Sequence, residues 1–307
     1  MLSLSRPSVL FLPFRTLAAR SQNTVSASGG AQPGRSRCGF TLIELLVVMM
    51  IIAILASMIS FAMSRVQQTA RKASTQALIT KLHSVIARQW DTYATRRVDI
   101  VITSGMTHAE AKLNAIRKLI QDELPDCEEG VTGTGNNVLQ TAYRDAIDDA
   151  ISGEWPRDPE TENPEHDESA VCLYLIVSML ADDDLDRINF FSEQDVGDLD
   201  KDGTPDVFVD AWDKPIGFIR WPAGFASDLQ DLNLTKSPDP FDPTGVDPDA
   251  YAIFPLIYSK GPDKRSGIDD PADPASPNPY SPKKGAPDGT GDHNDNIHNH
   301  HLGGSLR

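Results

Sequence analysis

The run Cys38-Gly39-Phe40-Thr41-Leu42-Ile43-Glu44-Leu45-Leu46 sets one carboxylate inside an otherwise apolar segment and puts a glycine at its entrance. From Phe40 to Met63 the only ionisable side chain is Glu44. A helix over those residues would be roughly 36 Å long at 1.5 Å per residue, longer than a bilayer core of about 30 Å. The segment therefore reads as a membrane span. A charged carboxylate within such a helix costs on the order of 2.5–3.5 kcal/mol, less near an interface, so Glu44 calls for a partner and a use. An ordinary single-pass anchor requires neither the glycine nor an acid at this spacing.

On Gly39, Phe40, Thr41, Leu42, Ile43 and Glu44, preceded by the basic Arg35 and Arg37, the segment resembles the N-terminus of type IV pilins and of type II secretion pseudopilins. The resemblance implies that a prepilin peptidase cuts between Gly39 and Phe40 and that the new amine of Phe40 is methylated. It also implies that Glu44, then the fifth residue, pairs with the terminal amine of a neighbouring subunit in a filament. The physics agrees, because a buried anion and a buried ammonium are each costly alone and tolerable as a hydrogen-bonded pair.

Charge is divided unevenly along the 307 residues. Residues 1–39 carry Arg6, Arg15, Arg20, Arg35 and Arg37 and no acid, whereas the remainder holds 44 Asp and Glu against 23 Lys and Arg. A basic leader ahead of an apolar span favours a cytoplasmic N-terminus and an exported acidic body; the resemblance implies that the anchor lies in a bacterial inner membrane and the body in the periplasm. Nucleic-acid binding by that body is disfavoured, since phosphate contacts need clustered Lys and Arg. The expected organisation is a removed leader (1–39), a membrane half-helix (40–63), a globular domain (64–268) with a helical insertion at about 107–181, and a flexible acidic, His-containing tail (269–307).

No glycine or proline occurs between Phe40 and Ser104, so one long helix should leave the membrane. Its outer half carries an apolar stripe of Val66, Ala70, Ala73, Ala77, Leu78, Leu82, Val85, Ile86, Trp90 and Tyr93 at helical spacing. Further helices are expected over 107–124, 138–151 and 169–180. Short strands are expected at 207–209, 216–221 and 251–258, separated by Pro- and Asp-rich loops. The class is α+β, and the resemblance implies a pilin-like fold in which the long helix packs on a small antiparallel sheet.

Two acidic loops could bind a hard cation. Asp198-Leu199-Asp200-Lys201-Asp202-Gly203-Thr204-Pro205-Asp206 has acids at positions one, three, five and nine and glycine at six, the ligand positions of EF-hand-like calcium loops. The twelfth position is Val209, so the bidentate glutamate is missing. The second loop, Tyr258 to Asp270, resembles the calcium loop of major pseudopilins, which implies Asp263, Asp269 and Asp270 as ligands. Lys264 and Arg265 depart from that pattern. Between the loops, Asp210-Ala211-Trp212-Asp213-Lys214-Pro215 resembles a structural turn of the same family, with Asp213 where a glycine is usual. The resemblance assigns this turn a structural role between strands, and Trp212 itself reads as a core residue.

Cys127 and Cys172 lie in the exported part, where a disulfide between them is permitted; two isolated thiols are the alternative. His293, His298, His300 and His301 fall in the tail, where a transition metal would be held only adventitiously. No GxSxG and no Cys/His pair with local context is present, so no enzyme is expected. The function expected is a structural subunit of a pseudopilus or type IV pilus-like filament. Its partners would be other subunits, the prepilin peptidase, an inner-membrane assembly platform and lipid. The alternative is a membrane-anchored module that binds calcium or a partner without polymerising.

Overall fold

A computed structural model of the protein describes residues 39–132, 155, 164–182, 191–233, 237–268, 279–280 and 284–301. The chain divides into two units, residues 1–56 and 57–307. The expected helix at 138–151 lies outside the described residues.

Helix α1 spans Leu42–Tyr93, 52 residues without glycine or proline. Every residue from Gly39 to Ser74 is exposed. Burial begins at Thr75 and continues through Leu78, Ile79, Leu82, Ile86, Trp90 and Tyr93 at steps of one, three and four. The expected stripe is thus confirmed in its C-terminal part. Val66, Ala70, Ala73 and Ala77 remain exposed, and Ile79 and Thr75 join the buried face instead. Each fully buried large side chain of this face stabilises the fold by roughly 1.5–3 kcal/mol relative to exposure.

Helix α2 spans His108–Glu123, opened by a capping box in which Thr107 and Glu110 satisfy each other's backbone N–H groups. Pro125 follows its end, as the sequence suggested. A short helix α3 covers Glu128–Thr132 and α4 covers Pro164–Asp182. Helix α4 starts five residues earlier than expected, with proline at its first position, where the missing N–H costs nothing. Its residues Ala170, Val171, Cys172, Leu173 and Ile176 are fully buried. They share one core with Leu82 and Ile86 of α1, Ile120 of α2 and the strand residues Phe208 and Phe218. The helical region is therefore no appendage to a minimal domain: α4 packs directly on the strands.

Among the described residues the strands form two small antiparallel sheets. Strands β1 (Val196–Gly197) and β2 (Val207–Phe208) pair Val196 with Phe208. Strands β3 (Gly217–Ile219), β4 (Leu256–Ser259) and β5 (Ile297–His298) lie in the order β3-β4-β5, with Phe218 opposite Ile257 and Tyr258 opposite His298. Side chains alternate between faces along each strand. Phe218 and Ile257 face the main core, whereas Ile219, Leu256 and Tyr258 join a second cluster with Ile268. The expected strands are found in shortened form, and β1 and β5 are additional.

One expectation fails outright. Residues 284–301 are not a mobile tail, because β5 adds to the sheet edge and Asn299 and His300 are buried. Asn299 explains the docking: its Oδ1 accepts from the Ile257 N–H at 2.9 Å and its Nδ2 donates to the Pro255 carbonyl at 2.9 Å. Polar side chains that pair with backbone are invisible to a reading based on apolar content.

Candidate functional site

At the start of α1, Thr41 and Glu44 form a reciprocal cap. The Thr41 N–H and hydroxyl donate to Glu44 Oε2 at 2.9 and 2.8 Å, and the Glu44 N–H donates to Thr41 Oγ1 at 3.3 Å. Two of the orphan donors of a helix N-terminus are satisfied this way, and the carboxylate sits where the helix dipole favours a negative charge. The single chain thus supplies Glu44 with local partners before any neighbour arrives. Thr41 was missed as a partner, although its signal, a threonine three residues before a glutamate, stands in the sequence. Phe40, Leu42 and Ile43 beside it are exposed, as is the apolar run to Met63. Helix α1 is long and apolar enough to cross a membrane, and none of its apolar stretch is buried within the protein.

The turn after β2 is built on Asp210. This buried carboxylate accepts from the Trp212 and Lys214 N–H groups at 2.8 and 3.0 Å through Oδ1, and from the Ser259 hydroxyl at 2.6 Å through Oδ2. Burial raises its pKa, against the lowering effect of these hydrogen bonds. Trp212 is buried, as expected of a core residue. Asp213 has φ +59°, the left-handed conformation in which glycine is at ease. The two segments singled out in the sequence, the Asp210 turn and the Tyr258-Ser259 strand end, are therefore joined by one hydrogen bond.

The β1–β2 loop brings together three of its four aspartates. One carboxylate oxygen each from Asp198, Asp200 and Asp206 lie within 4.8 Å of one another. Asp202 turns aside: its Oδ1 accepts from the Thr204 N–H at 2.7 Å, and it belongs to no such group. Gly203, at φ +98°, donates its N–H to Asp198 Oδ2 at 2.7 Å. Asp206 is 2% exposed; Oδ1 accepts from the Leu199 N–H at 2.8 Å, while Oδ2 is buried and has no hydrogen-bond partner. Burial, and then the charges of Asp200, Asp198 and Asp202, push the Asp206 carboxyl up to about 7.

The second acidic loop is not assembled among the described residues. Asp263 accepts from the Arg265 N–H at 2.9 Å within its own turn, and Asp269 and Asp270 lie outside the described residues. Lys264 adopts φ +65°, again the glycine-favouring conformation. Cys127 and Cys172 are free, buried thiols, so the permitted disulfide is not formed. Burial, and then the nearby Cys127 and Asp126, raise the Cys172 thiol well above its usual range, which leaves it protonated and unreactive.

Two of the histidines, His300 and His83, are held by hydrogen bonds within the fold. His300 Nδ1 lies 2.7 Å from Ser227 Oγ, and its Nε2 lies 3.2 Å from the Phe254 carbonyl. His83 of α1 bonds Asn299. A buried ion cluster lies apart from these, in which Asp126 pairs with Arg220 at 2.9 Å and Lys284 at 3.5 Å.

Residues 34–60 match the prokaryotic N-terminal methylation motif. The chain carries a prepilin-type N-terminus. The prepilin-type motif supports a type IV pilin-like protein that is processed by prepilin peptidase and assembles with other pilin subunits. The motif is structural rather than enzymatic, and with the exposed apolar helix it fits membrane anchoring. No curated protein and no solved structure matches the chain significantly.

Proposed function

We propose that this chain is a structural subunit of a pseudopilus of the type II secretion kind, anchored in the inner membrane with its acidic domain in the periplasm until it is drawn into a filament. The carrying observation is the capped, carboxylate-bearing start of a helix whose apolar stretch, as far as Met63, is exposed in the single chain. An isolated chain can cover that surface only with lipid, and a filament can cover it with the same helix of neighbouring subunits. Support for the type II system comes from the C-terminal half. The Asp210 turn and the Ser259 strand end, two segments that resemble major pseudopilins, meet through the Ser259–Asp210 hydrogen bond. The inner-membrane platform of such a system is the partner that would extract the subunit from lipid.

Assembly would then trade one partner of Glu44 for another. In the free chain the carboxylate is held by Thr41; in the filament it would meet the ammonium of a cleaved neighbour. Co-expression with a prepilin peptidase, read by intact mass, should remove residues 1–39 and add one methyl group. The Glu44→Leu chain should still be cut and remain in the membrane but fail to enter filaments. Filament incorporation of Glu44→Leu at the native level refutes the assembly role, and an unprocessed native chain refutes the whole reading.

A further inference from the structure

We propose that the β1–β2 loop is a calcium site built from Asp198, Asp200 and Asp206. Three aspartates in a loop would not suffice for this assignment. The deciding observation is Asp206, which is buried at 2% exposure with one carboxylate oxygen free of any hydrogen-bond partner. A buried carboxylate oxygen without a donor is costly, and native proteins rarely retain one without a use. Asp206 is also one of three residues, with Asp198 and Asp200, that each bring a carboxylate oxygen within 4.8 Å of the others. Oxygens that close together can share one cation, and a flexible loop completed by backbone carbonyls suits calcium, which takes six to eight oxygens in variable geometry, better than magnesium, which demands a near-ideal octahedron and keeps its waters. The donors are all hard carboxylates, with no imidazole or thiolate, which disfavours zinc and copper.

The loop geometry tells which acids take part. Asp202 stays outside the group of converging oxygens, so the spacing rule names one ligand too many. Val209 stands where an EF-hand-like loop places its bidentate glutamate, so backbone carbonyls and water complete the coordination. That composition places the dissociation constant at about 10⁻⁴–10⁻³ M, the range of modules that work outside the cytoplasm. Occupancy would fix the connection between β1 and β2. The β1 side of this hairpin is tied to α1 through the Asp195–Lys81 ion pair at 3.4 Å, and the β2 side continues into the Asp210 turn. The inference does not depend on polymerisation and stands or falls apart from it.

The test is thermal unfolding of the full chain in detergent, with calcium or magnesium added at constant ionic strength, together with equilibrium dialysis against calcium. With calcium about tenfold above the dissociation constant the midpoint should rise by about 3–6 °C. Magnesium should give little. Asp206→Asn should abolish the rise and remove one bound calcium per chain. Should that variant fail to fold, Asp200→Asn, at an exposed position, should weaken binding at least tenfold with the fold intact. The proposal is overturned if the native chain shows no calcium-dependent rise, if magnesium serves equally well, or if Asp200→Asn retains native binding.

Discussion

Acidification should destabilise this protein through His300, by an amount the structure fixes. His300 is 2% exposed, and burial holds its imidazole at about 4, with the nearby His83 and His301 adding to the effect against the opposing pull of the Phe254 and Pro255 carbonyls. In the unfolded chain the same ring titrates near 6.5. Because the folded value is the lower one, the unfolded state binds the extra proton between them. Stability is therefore full above about 6.5 and is lost as pH falls toward about 4. Between pH of about 7 and about 5 the loss comes to about 2 kcal/mol for this one ring. Other groups also titrate in that range, Asp206 among them in the opposite sense, so the informative quantity is a difference between two chains. His300→Gln removes the titrating ring and is expected to lower stability at neutral pH, since the contacts to Ser227 and Phe254 are disturbed. The gap between native and variant chains should then narrow by about 2 kcal/mol, or about 4–8 °C in melting temperature, on going from about pH 7 to about pH 5. Denaturant and thermal melts in detergent at fixed calcium measure it. A gap that stays constant to within about 0.5 kcal/mol refutes the argument, because it means the buried ring carries its proton as easily as the unfolded one.

Three further substitutions test other joints. Arg220→Met strands Asp126 beside Lys284 alone and removes the guanidinium that donates to the Leu124 carbonyl at 2.9 Å; loss of one member of a buried ion pair should cost about 3–5 kcal/mol by denaturant melts. Asp213→Gly relieves a residue held at φ +59° and should stabilise the chain by about 1 kcal/mol, seen as a higher midpoint. Gly267→Ala should have the opposite sign and exceed about 1–2 kcal/mol, because φ is +57° and the added Cβ would come within 2.3 Å of the His293 backbone nitrogen.

Legibility varied with the physical signal each element carries. Helix α1 could be read because an unbroken apolar run and a helical stripe are one-dimensional patterns, and α2 because Thr107 and Glu110 make a box within four residues. The face that α1 buries was only half legible: alanines at helical spacing mark a stripe, but whether the domain reaches as far as Ala70 depends on tertiary packing. Strand β5 was hidden because Ile297-His298 has almost no apolar content of its own and is placed by Asn299 reaching the backbone of 255–257. In the acidic loop, spacing identified Asp198, Asp200 and Asp206, and only the fold could show that Asp202 faces Thr204 while Asp206 is buried. The substitution of aspartate for glycine at 213 was noticed as a departure, and its backbone angle explains why glycine would suit that position.

The placement of β5 bears on the order of events during synthesis. Strand β4 ends at Ser259 and its partner begins at Ile297, so one edge of the three-stranded sheet stays open until almost the whole chain has emerged. Export of the domain in chain order would expose that edge while Asn299 and His300 are still in transit. Contacts so distant in sequence form late and slowly. Residues 297–301 thus act as a clasp, and a chain shortened before Ile297 would arrive with its helices formed and its sheet unfinished.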